Sequence, residues 1–595
     1  LHEMGVNSPY FFAPAAAPFH ETITDWQRDF QHLAGNNHAR YFDANGWLYY
    51  TDEIFDLLYP SYGDTWPIFN GAIGFTYEQG GSGRAGLSAT METGNNLGLK
   101  DRLEHHFAAS ISTIETGYNN KAKLLEEFKK YFSEKVQDKY KTYVIKNTPK
   151  KSQTIAAFLK LLDNQSIQYG FPNDATGSVL GFDYLNNKEK NCSIADNDII
   201  VRLDQPLSRF VKVLFEPKTM LEDSLTYDLT AWAIPYIYEL ETYAIETDIP
   251  IKKYEVKEVL PTQLPTRVPY AVVLTYNDAT DVKILGELLQ QNMVVRFAEH
   301  PFKANDKTFD RGSLIITKGD NQTKFVRYDE EIVQIANRYS KSLTFLNTGM
   351  TQNGYDMGSG YQKYIKPVKV ALIGGKGISP MAYGEVWYYF EQVIGYPITT
   401  LKTDYLSSIN LSQYDVIIMP AGSYGSHTKK LTSFVQKGGK VIALDGAVST
   451  LARQSSTNFE IRKSRKQDRN KIKYAERERA STSRLVAGSI YKIHLDETHP
   501  LSFGFQNSVH IMKRNSMVFE PLDGKGWTVG RFKKDSHISG FVGIDLKKDL
   551  KNSAALAVEN YGKGHIIYMP DSPIFRGFWH SGKVLFGNAL FFVGQ

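Results

Sequence analysis

Two patterns of apolar and polar positions divide this chain. From residue 270 onward, short apolar runs over 270–276, 294–299 and 313–317 alternate with amphipathic helical patterns over 281–291 and 330–339. The alternation restarts at Lys369, with apolar runs at 370–373, 415–419 and 439–444 and a helix predicted over 383–393. Strand–helix alternation of this kind predicts parallel sheets covered by helices. Before residue 270 the pattern is mixed. Helices are predicted over 100–116 and 121–140, and paired strands over 198–203 and 210–215. Between 227 and 244, apolar residues including Trp232, Ile234 and Tyr236 recur at helical spacing and predict a core-facing helix. Pro261, Pro265 and Pro269 mark a stiff extended linker, and the Gly/Ser/Asn-rich stretch 80–98 reads as a surface loop.

Length and these breaks give four units: 1–118, 119–259, 260–365 and 366–595. Apolar content of 42% with 22% charged residues describes a globular chain. The net charge of +5 is too small for this length to indicate a nucleic-acid partner. Ten Lys and Arg residues crowd 461–484, but with Tyr474 as the sole aromatic the stretch reads as a solvated insertion. No apolar run is long enough to span a bilayer. The single cysteine, Cys192, rules out an intrachain disulfide framework and any cysteine-based metal cluster.

Three residues carry candidate chemistry: His2 near the start, Tyr62, and Glu78 at the end of the run Phe75-Thr76-Tyr77. A catalytic zinc takes three protein ligands and one water, and a nearby carboxylate accepts that water's proton. Each residue also has a plainer reading. Glu78 suits a buried, ion-paired carboxylate, and Tyr62 has a rival in Tyr59. His2-Glu3 does not begin a His-Glu-x-x-His motif, because Val6 fills the last place. His494 and Glu497 do spell His-x-x-Glu, with His499 nearby, but lie over 400 residues downstream and read as a polar strand end. His20 and the pair His105-His106 read as structural, with one member of the pair facing the core.

Leu1-His2, Tyr59-Pro60-Ser61-Tyr62-Gly63 and Phe75-Thr76-Tyr77-Glu78 resemble, in order, the motifs of zinc carboxypeptidases of the carboxypeptidase A family. The start, His2-Glu3-Met4-Gly5-Val6-Asn7-Ser8-Pro9-Tyr10-Phe11-Phe12-Ala13-Pro14, is similar to a large bacterial subgroup, and that similarity runs almost to Gln595. The resemblance implies that His2 is a zinc ligand, Tyr62 a substrate-binding residue and Glu78 the catalytic base. It implies Zn²⁺ as cofactor, with the remaining ligands upstream of residue 1, and a peptide or protein substrate shortened from its C-terminus. It also implies a periplasmic or secreted protein. This chain would then hold part of an active site, be inactive alone, and expose apolar surface where absent strands pack. The alternative is a non-catalytic scaffold that binds peptides or glycans.

The order of elements after Lys369 resembles the class I glutamine amidotransferases. Their nucleophilic cysteine sits on a strand-to-helix elbow. Here the elbow after Leu444 reads Asp445-Gly446-Ala447, and Asp571-Ser572-Pro573 stands where the partner histidine and glutamate are sought. Ser423 lies in an earlier loop that lacks the first glycine of a serine elbow, and Gly374-Gly375-Lys376-Gly377 matches no phosphate-binding fingerprint. The expected fold is α/β multidomain. It comprises a partial carboxypeptidase α/β domain, an α+β middle region, and a parallel-sheet, flavodoxin-like amidotransferase domain without chemistry.

Overall fold

The structure is a computed structural model that describes residues 2–81, 87–174, 176–222, 226–254, 260–463 and 472–595. It is a mixed α/β multidomain protein with several separate sheets.

The first sheet has four short strands in the order His2–Met4, Glu78–Gly80, Tyr10–Phe11, Tyr49–Tyr50. The first two run parallel, with His2 opposite Glu78. Helix Asp25–Asn45 starts at a capping box in which Thr24 and Gln27 satisfy each other's backbone donors, and it stops at Gly46, whose φ of 67° favours glycine. It packs on helix Leu99–Asn119 through Asn37 and His38, both bonded to Ser112. The apolar run Phe75-Thr76-Tyr77 lies outside the strand, which begins at Glu78 rather than ending there. The preceding residues are tied by side chains instead: Thr76 Oγ1 donates to Asp64 at 2.5 Å, and the Tyr77 hydroxyl meets Thr113 at 2.6 Å.

Helix Leu99–Asn119 turns one face to the sheet and the other to solvent. The outer face carries Leu99, Leu103, Phe107, Ile111, Ile114 and Tyr118, which are 38–68% exposed. The open apolar surface of this unit therefore runs along a helix. Both His105 and His106 face the protein, on Gln79 at 2.6 Å and Tyr10 at 2.7 Å, where the sequence reading allowed one. Helix Lys121–Ser133 ends seven residues before the predicted limit.

The middle sheet has seven strands, all antiparallel. Two expectations fail here. Residues 208–215 form a helix, not a strand beside Ile199–Arg202. A six-residue apolar run cannot choose between the two, and packing decides it. Phe210, Val211, Val213 and Phe215 are all buried, while the Lys212 ammonium reaches Glu21 at 2.6 Å. The long helix over 227–244 is likewise absent. Pro235 opens a single turn, Ile234–Tyr238, which Glu239 closes at φ 52°, and Thr242–Ile245 is a central strand.

The alternation after residue 270 gives an antiparallel sheet, not a parallel one. Leu314–Thr317 inserts between Ala271–Leu274 and Arg296–Ala298, antiparallel to both. The second alternation does build a parallel sheet, in the order Ile398–Lys402, Val370–Gly374, Val416–Met419, Lys440–Leu444, Gly564–Met569. Antiparallel strands extend it beyond Ala554–Tyr561. One continuous apolar core joins these two regions, from Val272 and Val282 to Phe586 and Phe592. Gly587 permits the contact, because a Cβ there would meet Val282 at 2.6 Å. Of the basic stretch, residues 464–471 lie outside the described ones. Arg462 pairs with Glu520 and Arg484 with Asp549.

Candidate functional site

Glu78 is buried at 3% exposure on the strand between His2–Met4 and Tyr10–Phe11, with Phe11 as its antiparallel partner. Its charge acts on Tyr10, Tyr50 and Tyr227: burial raises the pKa of each hydroxyl first, and Glu78 raises it further. Two glycines allow this packing. A Cβ at Gly74 would sit 2.0 Å from the Asp64 carbonyl oxygen, and one at Gly80 2.9 Å from that of Ser8.

Tyr62 is half-buried, and its hydroxyl donates to Asp228. Burial first, and then that hydrogen bond, raise its pKa. Asp228 also holds the Arg576 guanidinium at 2.6 Å. The neighbouring Tyr227 N–H donates to Asp56 at 2.7 Å, and burial lifts the Asp56 carboxyl to about 6. The structure thus brings His2 and Glu78 together at the backbone and ties Tyr62 to the loop Thr226–Leu229. Two other histidines have structural partners: His20 meets Glu216 at 3.0 Å, and His499 caps the turn at Leu501.

That loop also forms one wall of a cleft of about 510 Å³ at the carboxyl ends of the parallel strands. Asp445 stands at its floor, on the elbow between strand Lys440–Leu444 and helix Gly446–Ala452, with φ 46° and ψ −125°. Positive φ on a non-glycine residue costs roughly 1–3 kcal/mol and persists where surrounding structure enforces it. Enforcement comes from both sides of the residue: Asp445 N–H donates to the Met569 carbonyl at 3.0 Å, and Asp445 Oδ1 accepts from Ser572 N–H at 3.1 Å. Glu385 converges on the same serine, accepting from its hydroxyl at 3.0 Å. Burial raises the Asp445 carboxyl to about 7, against the pull of Arg514 and with help from Asp571 and Glu385. Asp571 itself is paired with Lys513 at 3.1 Å.

Sequence reading named Asp445 and Asp571 but missed Glu385, Arg514 and Asp228. These come from distant segments and share no spacing motif. Ser423 donates its N–H to the Gly377 carbonyl at 2.9 Å. Cys192 lies buried in the middle sheet, on strand Lys188–Ile194.

No protein-family model matches the chain, and no curated protein matches it. Among solved structures it is similar to PurLQS from Thermotoga maritima, at 13% identity over 37% of this chain and 97% of that one, with a TM-score of 0.27. A glutamine amidotransferase from Thermotoga maritima shows 12% identity over 36% of this chain and 80% of its own, with a TM-score of 0.23. A ThuA-like protein from Bacteroides uniformis shows 11% identity over 37% and 89%, also with a TM-score of 0.23. Similarity this low assigns no activity.

Proposed function

We propose that residues 1–118 carry the second half of a metallocarboxypeptidase-type site, in a protein that releases C-terminal residues from peptides. The observation that supports this reading most is the pairing of His2 with Glu78 on adjacent parallel strands. It sets the two motif residues of the resemblance side by side, 76 positions apart in sequence. Glu78 is the proton acceptor of the reading: a carboxylate in an aromatic, water-poor setting takes the proton of an attacking water at its Oε atom. Tyr62 reaches a substrate on leaving Asp228.

Zinc does not fit the described residues by themselves. Among them no group of three or more His, Cys, Asp or Glu could hold a metal ion, and a catalytic zinc needs three protein ligands. The reading therefore requires donors beyond those described, and residues 1–595 alone are expected to bind zinc weakly and to hydrolyse peptides poorly. The test is hydrolysis, by the natural polypeptide, of a peptide with a free C-terminus beside its amidated twin. The reading expects cleavage of the first alone, and loss of that cleavage in Glu78→Gln.

A second reading, a scaffold that binds peptides or glycans without turnover, is favoured by the C-terminal cleft. We read residues 366–595 as an amidotransferase-like unit without glutaminase activity. Its elbow presents an aspartate, and the chain's one cysteine lies in another sheet. Ammonia release from glutamine that vanishes in Asp445→Ala would overturn this.

A further inference from the structure

The cleft before Asp445 has features that a merely structural void does not need. Its floor residue is held at a positive φ, at the end of a parallel strand where open α/β sheets commonly bind ligands. Asp445 is 7% exposed and lines the cleft. Oδ1 has the Ser572 amide, whereas Oδ2 has only the Arg514 guanidinium at 3.5 Å, beyond good hydrogen-bond distance. The charges around it separate into satisfied and unsatisfied groups. Asp228 is neutralised by Arg576, and Asp571 by Lys513. Arg514 stacks on the Phe575 ring at 3.9 Å and is the one cation left beside the carboxyls of Asp445 and Glu385, the latter also accepting from the Ser572 hydroxyl and the Arg576 N–H, each at 3.0 Å. With Asp445 ionised the pocket is short of one positive charge, and buried anions without a partner cation are costly. Met381, Leu485, Val486 and Met517 also line the cleft and offer apolar surface to a carbon skeleton.

We propose that this cleft is a binding site for a primary ammonium group, seated between Asp445 and Glu385 with its carbon skeleton against the Met381 and Met517 wall. The inference stands on the cleft alone and is independent of the half-site at Glu78. An ammonium donates three hydrogen bonds and supplies the missing charge, while its chain replaces water along the apolar wall. The arrival of a cation also draws the proton from Asp445, whose carboxyl is raised to about 7 by burial, with Asp571 and Glu385, against the pull of Arg514 and the Ser572 amide. Two sources offer this chemistry, the N-terminal amine of a peptide and the amine of an amino sugar.

Calorimetric titration of residues 1–595 with alanyl-alaninamide and with glucosamine, each beside its N-acetylated form, separates them. One free amine should bind, with its acetylated form weaker by about tenfold or more, as expected for the loss of charge-assisted hydrogen bonds. The stronger of the two probes identifies the source. Asp445→Asn and Glu385→Gln should each weaken binding by a similar factor. Asparagine tolerates positive φ better than most residues, so Asp445→Asn keeps the elbow, and a thermal melt of each variant verifies folding. Amines that fail to bind at millimolar concentration, acetylated probes that bind equally, or folded variants with unchanged affinity would each overturn the proposal. A failure here leaves the hydrolysis test at Glu78 untouched.

Discussion

The Tyr62 hydroxyl donates to Asp228, 166 residues further along the chain, and so joins the first unit to the wall of the C-terminal cleft. Arg576 completes the link from the other side. Asp228→Asn should leave that guanidinium without its anion and destabilise the protein by roughly 1–3 kcal/mol. Tyr62→Phe should cost less, and the double variant should cost less than the sum of the two. Denaturant melts of the three proteins measure this. Strict additivity would mean that the two residues act separately.

Stability should fall as pH rises through neutrality because of Asp445. Its folded pKa, about 7, lies above the ordinary value of 3.8, so the folded state binds the proton more tightly. That contribution is full below pH 4 and is lost as pH rises through 7. Asp445→Asn removes the charge that burial opposes. It should flatten this part of the profile and leave the variant more stable than wild type at pH 8, by on the order of 2–4 kcal/mol. Parallel melts from pH 4 to 8 test the sign.

Gly74→Ala should damage the approach to Glu78, because the new Cβ would lie 2.0 Å from the Asp64 carbonyl oxygen and backbone must move. Asp64 also anchors Thr76, so the change should displace the segment that leads into Glu78. A loss of roughly 2 kcal/mol or more is expected. A melt unchanged from wild type would contradict the close approach.

Lys440 places its ammonium on the carbonyls of Ala589, Leu590 and Val593, at 3.1, 2.9 and 2.7 Å, and so closes the end of helix Gly582–Phe591. Replacing it with methionine keeps the stem and removes three donors. The expected loss is roughly 2–4 kcal/mol, since buried carbonyls are left without partners. Chemical denaturation reads it directly.

What the sequence revealed follows a physical line. The parallel sheet of the second alternation was legible because its strands are continuous apolar runs separated by helices, a pattern that burial on both faces produces. The sheet around Ala271–Leu274 has the same local pattern, yet Leu314–Thr317 returns between two earlier strands, and strand order is a long-range choice. Phe210–Phe215 and the stretch around Pro235 misled because short apolar runs look alike whether helical or extended. At the candidate sites, His2, Tyr62 and Glu78 were singled out through local motifs. Glu385, Arg514 and Asp228 were not, because only the folded chain gathers them around Asp445.

The account rests most heavily on Glu78 as the proton acceptor of a hydrolytic site. The most direct measurement is the rate at which the natural polypeptide releases C-terminal residues, compared with its Glu78→Gln variant at equal metal content. The account predicts a loss of about a hundredfold or more, the scale of a lost general base, with metal retained and the fold intact. A folded Glu78→Gln protein that keeps most of the wild-type rate would contradict it.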